Sequence, residues 1–438
     1  MKTLKLFAAG LLALASATLA SATTTIHIVG STAFRSSVHA AIINMLNSPT
    51  CAYSGSALSK AGQATFTGTL KSGNSAGQTV IIEADWTGST GGIQSVAQSS
   101  PAVTKPFLTT GNTMTSVSLS GTAGSYTFNG GNNVAAVTTS SSTCEVVSPE
   151  VTMSDSFQGS SIFTGTVVLT AISNTTTASE ATLVDNVVGV VPFEWVRGNS
   201  NTFDGTTTAS SNFANVANIT TQQAIDLLNG GLPLSQFTSN AADDAAGVFV
   251  FGRDEDSGTR LDTFAETGFG IQSTPDQYQP TVGTGTLAGV ITALNPWPSN
   301  AVNSITYSAG HSGYNSGGTL AGDLGRLTTP SLASFVIGYL GTGDAATAIA
   351  AGGVALTYNG VTYSPTAVQQ GQYTFWSYEH LMYLNTYSGV GKDAALALAA
   401  QIHSVDAAQA GVLLSTMTVG RGVEGGPVTF VGLGNSPF

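Results

Sequence analysis

Residues 247–268 read GVFVFGRDEDSGTRLDTFAETG, and their order decides the fold. The apolar run at 248–251 reads as a buried strand. Ser257-Gly258-Thr259 is a hydroxyl-rich turn, and Leu261, Phe264 and Ala265 then recur at helical spacing until Gly268 stops the helix. The same grammar appears twice upstream. In TTTIHIVGSTAF the strand carries Ile26 and Ile28, Gly30-Ser31-Thr32 interrupts it, and Phe34, Val38, Ala41, Ile42 and Met45 mark a helix. In TVIIEADWTGSTGGIQSVAQS a strand at 80–84 gives way to Gly88-Ser89-Thr90-Gly91-Gly92, and the helix is expected to begin near Ile93. Three strand–turn–helix units predict an α/β architecture whose helix N-termini gather at strand ends.

Between the second and third units the texture changes. Residues 100–148 are rich in Ser, Thr, Gly and Val, and SVSLSG and SYTF alternate with period two. This stretch is expected as an inserted β element, with Asn129-Gly130-Gly131-Asn132 as a hairpin turn. Further on, ITTQQAIDLLNGG predicts a short capped helix, and DAALALAAQIHSVDAAQAGVLL predicts one or two C-terminal helices.

Composition narrows the function. At 438 residues and 42% hydrophobic, the chain exceeds one ordinary domain and can build real cores. Charged residues are only 8%, so Ser, Thr, Asn, Gln and 52 Gly must supply the surface. Twelve Lys and Arg face 24 Asp and Glu, a net charge of −12, which leaves no basic field for nucleic acid. Residues 1–22 read as an export signal: Lys2 and Lys5, an apolar run, then Ala20-Ser21-Ala22 for cleavage. Losing its two lysines takes the charge from −12 to −14, and no Cys stands at the cleavage point to carry a membrane anchor. A periplasmic or secreted location follows as an expectation.

In that oxidising setting Cys51 and Cys144 are expected to form a disulfide, with two buried thiols as the alternative. Two Cys and five scattered His show no metal-ligand spacing, so neither metal nor cofactor is expected. Catalytic signatures are weak. Gly73-Asn74-Ser75-Ala76-Gly77 fits a nucleophile elbow but precedes a strand instead of joining strand to helix. His311 and His380 have no carboxylate at recognisable spacing. Trp376, Tyr378, Tyr383 and Tyr387 read as packing, with sugar stacking the lesser reading. No enzyme activity is inferred.

The hydroxyl turns carry a different chemistry. A helix start exposes unpaired N–H groups and about half a positive charge, and Ser or Thr adds rotatable donors. Several such ends aimed at one point form an anion cage. Arg253, one of six arginines, lies four residues before Ser257 and can add a planar donor fork. The plainer reading makes each Ser or Thr a helix cap and pairs Arg253 with Asp254 or Glu255.

Taken in order, these segments resemble the periplasmic phosphate-binding proteins, the solute receptors of phosphate ABC transporters. FGRDEDSGTR is similar to their R-x-x-x-S-G-T signature, WTGSTGGIQSVAQ to their G-S-S-G-G helix start, and VGSTAFRSSV to their first Ser/Thr turn. VTMSDSF resembles the segment bearing their binding Asp, NITTQQAIDLLNGGLPLSQF their short helix before the second-lobe core, and QGQYTFWSYEHLMYL the return to the first lobe. Residues 100–148 separate two of these motifs by more than the family's usual distance, Ala33 stands where Thr is common, and DED adds negative charge beside an anion site.

The resemblance implies a two-lobed fold: residues 23–188 with 373–438 as the first lobe, carrying the 100–148 insertion, and residues 189–372 as the second. It implies phosphate contacts from Ser31, Thr32, Ala33, Phe34, Ser89, Arg253, Ser257, Gly258 and Thr259, with Asp155 as the single acceptor. Hydrogen phosphate keeps a proton near neutral pH and can donate it in a hydrogen bond to a carboxylate, whereas sulfate has none and is repelled. The capping turn Ser154-Asp155-Ser156 is the alternative for that Asp. Implied partners are inorganic phosphate or a similar oxyanion, such as sulfate, molybdate or an organic phosphate, and a membrane ABC permease. A surface or matrix protein reusing the fold is the competing function.

Overall fold

The computed structural model describes residues 23–100, 102–163, 179–200, 212–302, 305–329 and 332–431. The expected export signal at 1–22 lies outside the described residues. The chain is an α/β protein built on a 14-stranded mixed sheet. Its first half comprises β1 (Thr24–Gly30), α1 (Arg35–Met45), β2 (Leu46–Ser54), β3 (Gln63–Leu70), β4 (Thr79–Asp85) and α2 (Ser89–Ala97). The insertion follows as β5 (Lys105–Leu108), β6 (Thr115–Ser120), β7 (Thr127–Gly130), β8 (Asn132–Val134) and β9 (Cys144–Val147). Next come β10 (Val151–Ser154), β11 (Leu183–Arg197), α3 (Thr221–Leu228), β12 (Leu232–Pro233), β13 (Gly247–Phe251) and α4 (Gly258–Thr267). The rest is α5 (Gly317–Leu324), β14 (Ser334–Gly341), α6 (Thr342–Ala350), β15 (Val354–Ala355), β16 (Trp376–Leu384) and α7 (Gly389–Ser404). Strand order is β12-β13-β14-β11-β16-β10-β1-β4-β3-β2-β6-β7, with β15 on β11 and β8 on β2.

All three strand–turn–helix units form. β1 runs parallel to both β4 and β10, so the ends of three strands open on one side. Alternation sorts the faces: Ile26 and Ile28 pack with Val38 and Ile42 of α1, while Val29 packs with Ile93 and Val96 of α2. β11 spans both halves of the sheet. Residues 183–192 pair with β16, and residues 193–197 pair with β14. α3 carries a complete capping box between Thr220 and Gln223, and Gly268 ends α4 at φ 74°.

Three expectations change. α2 begins at Ser89, so Gly91 and Gly92 lie inside the helix and not in the turn before it. Close contacts hold them there: a Cβ on Gly91 would crowd the Asp256 side chain, and one on Gly92 would crowd Gly30. Asn129 to Asn132 is not a hairpin turn, because β7 pairs back on β6 through residues 121–126 while β8 joins β2 in parallel. Gly130 and Gly131, both at φ 77°, let the chain change partner there. Cys51 and Cys144 are free thiols and form no disulfide. Cys51 points into the main core, whereas Cys144 packs with Ala52, Leu108 and Val137. Neighbours on one strand face opposite ways, so the two thiols lie on opposite sides of β2.

Candidate functional site

The strand ends bring together segments far apart in the chain. β1 ends at Gly30, whose carbonyl accepts from Gly88 N at 2.9 Å, and Ser31 N donates to Met153 O at 2.9 Å. Asp155, just past β10, donates its N–H to Ser89 Oγ at 3.2 Å, and its Oδ2 accepts from Thr259 Oγ1 at 3.3 Å. Gly258, the first residue of α4, sits against Asp155 Oδ1; a Cβ there would collide with that oxygen and come within 2.7 Å of Ser89 Cβ. Ser257 caps α4, its Oγ accepting from Arg260 N at 3.2 Å. The N-termini of α2 and α4 therefore meet around one carboxyl group.

The protein's own groups satisfy much of this donor set. Thr90 N and Gly91 N donate to Asp256 O at 3.0 and 3.2 Å, and Thr90 Oγ1 donates to Glu255 O at 2.7 Å. Buried Arg253 does not pair with the acids beside it: its Nε donates to Tyr314 O at 3.0 Å and its Nη2 to Asn315 O at 3.2 Å. A cavity of about 430 Å³ lies beside the junction, between Trp86, Thr87 and Lys105 on one side and Asp254, Asp256 and Asn315 on the other.

Charge at the junction is acidic and dehydrated. Burial pushes the Asp155 carboxyl up, opposed by the Ser89 hydrogen bond and the Arg253 charge. Two buried carboxyls share its field. Burial and the Asp155 charge push Asp262 well up, against Ser377 and Arg421, and burial and Asp155 do the same to Glu379, against the Ser31 hydroxyl. Asp254 is raised well above its ordinary value by burial and by Asp256, which is itself pushed up to about 6. Each group thus favours its protonated, neutral form more than an exposed acid does.

Of the residues named from the sequence, Ser31, Ser89, Asp155, Gly258 and Thr259 gather here, Ser257 caps the helix beneath them, and Arg253 acts through its charge. Thr32 and Ala33 instead line a separate cavity of about 180 Å³. The Phe34 side chain is in the core, its ring filling the space beside Gly189 and Gly411. Asp262 and Glu379 were missed; the available signal was a lone acid within each apolar pattern, one in LDTF and one in WSYEHLMYL. Arg35 and Lys60 were missed too. Both line the smaller cavity, where Arg35 pairs with Asp344 at 3.2 Å. Arg35 opens α1, where a cation opposes the dipole, and that placement was its clue. His380 has a carboxylate after all: its Nδ1 lies 2.8 Å from Asp185 Oδ1, across paired β16 and β11. Trp376, Tyr378 and Tyr383 are buried, and Trp376 stacks under Arg421 with 4.2 Å from guanidinium to ring centre.

No family model matches the sequence, and no curated protein matches it. Solved structures do. The chain is similar to an ABC-type phosphate transport receptor from Vibrio cholerae, at 11% identity and a TM-score of 0.39, over 86% of this chain and 93% of that one. It is similar to a structure with bound phosphate from Clostridium perfringens, assigned as a phosphate ABC transporter substrate-binding protein, at 13% and 0.39 over 87% and 93%. PstS from Borrelia burgdorferi matches at 12% and 0.31, over 86% and 92%. Among the described residues no helix is long and apolar enough to cross a membrane.

Proposed function

We propose that this chain is a two-lobed solute receptor that captures hydrogen phosphate, or a similar small oxyanion, where α2, α4 and Asp155 meet, and delivers it to a membrane permease. Residues 23–188 with 373–438 form one lobe and residues 189–372 the other. The observation that carries the reading is the bonding of Ser89, Asp155 and Thr259 into one group at two helix N-termini, from segments 66 and 104 residues apart. In the liganded form the anion's oxygens replace Asp256 O on the Thr90 and Gly91 amides, so the 254–256 loop withdraws as the lobes part and close again. Asp155 accepts a hydrogen bond from the hydroxyl of hydrogen phosphate, and no covalent step is involved.

Calorimetry with phosphate and sulfate tests this. Phosphate binds at neutral pH and sulfate does not; Asp155→Asn weakens phosphate at least about tenfold, the scale of one buried charged hydrogen bond. Because burial raises Asp155, acidification protonates it, and the neutral acid then donates to sulfate and admits it. A surface or matrix role is the second reading. It is favoured by the Thr90 and Gly91 amides already bonded to Asp256 O in an acidic setting. Absence of heat with phosphate together with self-association would select it.

A further inference from the structure

A second cluster lies on the α2 side of the sheet, away from the junction. Strand register places His27 of β1 directly beside Glu83 of β4, and β9 of the insertion brings Glu145 over both. One ligand atom from each of the three lies within 4.8 Å of the other two. His27 Nε2 stands 3.6 Å from Glu83 Oε2 and 3.7 Å from Glu145 Oε2. His27 and Glu83 are 6% and 2% exposed, yet His27 Nε2 and Glu83 Oε2 have no hydrogen-bonding partner. Buried polar atoms are rarely left so, and two facing one point mark a place built for something between them.

The other ring nitrogen is held. Glu150 Oε2 lies 3.0 Å from His27 Nδ1 and accepts from His27 N at 2.8 Å. A carboxylate on Nδ1 fixes the proton there and turns the Nε2 lone pair toward Glu83 and Glu145, the outer arrangement of metal-bound histidines. Distances agree. Ligands about 2.1 Å from a tetrahedral ion are roughly 3.4 Å from one another, close to the separations at Nε2. A proton on Nε2 would be the simplest alternative occupant.

We infer that His27, Glu83 and Glu145 bind one divalent transition-metal ion, with Glu150 as the positioning residue. An imidazole nitrogen with carboxylate oxygens favours Zn²⁺ over Mg²⁺ or Ca²⁺, and three protein ligands leave a fourth position for water. The ion ties the insertion, through Glu145, to the two strands beneath it.

The test uses chelator-stripped full-length protein in phosphate-free buffer, titrated calorimetrically with Zn²⁺ and, separately, Mg²⁺ and Ca²⁺. One equivalent of Zn²⁺ binds, Co²⁺ in its place gives the visible absorption of a tetrahedral site, and the melting temperature rises. Glu145→Gln, at a half-exposed side chain that leaves folding intact by circular dichroism, weakens Zn²⁺ at least about tenfold; His27→Gln weakens it further. No saturable Zn²⁺ binding overturns the assignment, as does equal affinity in wild type and Glu145→Gln, or Mg²⁺ binding as tightly as Zn²⁺. Phosphate affinity does not enter these readouts, so this site and the anion site fail separately.

Discussion

Two clusters of acid, one buried and one partly exposed through Glu145, share one sheet and handle their charge in opposite ways. Around Asp155, burial drives Asp155, Asp262 and Glu379 toward protonation, opposed by hydroxyl hydrogen bonds and by the charges of Arg253 and Arg421, two guanidiniums bonded elsewhere. Around His27, three carboxylates face one imidazole, which burial lowers but their combined charges and the Glu150 hydrogen bond raise above its usual value. The occupant proposed for the first arrangement is an oxyanion. The second suits a cation.

The largest expected effect breaks the first cluster. Gly258→Ala forces a methyl into Asp155 Oδ1, and urea denaturation should show a loss of about 3 kcal/mol, the scale of severe overpacking. Adding Asp155→Ala should restore most of it. An additive pair would mean the two segments are not tightly apposed.

Charge removal then separates the clusters. Glu379→Gln should leave stability unchanged or raise it by about 1 kcal/mol at alkaline pH, because it deletes a charge with no ionic partner. His27→Gln, without metal, should lower it by about 1–2 kcal/mol by stranding Glu83 and Glu150. Equal effects of the two changes would mean that both clusters handle their charge alike.

The pH profile is a smaller test. Burial pushes Glu194 up to about 7 and Asp256 to about 6, and Asp155, Asp254, Asp262 and Glu379 move the same way. A fold that holds these protons more tightly than the unfolded chain is favoured in acid, and that advantage is lost as pH climbs through about 6 to 7. His39, buried and held down to about 3, acts oppositely below its ordinary value, but it is one group against several. Melting temperature should therefore be several degrees higher near pH 5 than near pH 8. Glu194→Gln should flatten the slope.

The smallest effect is chemical. Without reductant, unfolded protein should show two reactive thiols, and in the folded state half-buried Cys144 should alkylate before Cys51. Zn²⁺ should slow Cys144 alkylation, since Cys144 neighbours Glu145 on β9.

What the sequence disclosed follows from how local each feature is. The units at 24–45, 79–97 and 247–268 were legible because strand, turn and helix are consecutive, whereas Ser89, Asp155, Gly258 and Thr259 were named only through the resemblance of their segments to the phosphate-binding family. Gly91 and Gly92 misled because glycine usually breaks helices; here packing against Asp256 and Gly30 overrides propensity. The thiols, the His27 cluster and the His380–Asp185 pair depend on which face a residue takes and which strand lies beside it. Register sets both, and no spacing along the chain encodes it.

β11 has a further consequence. A single strand, with one register shift between Val187 and Gly189, runs through both halves, hydrogen-bonded to β16 at one end and to β14 at the other, with residues 188–197 all buried. Neither half can melt without unzipping a ladder that the other half needs. Calorimetry should trace one cooperative peak for the pair, and a protease would find no exposed joint in β11 at which to cut them apart.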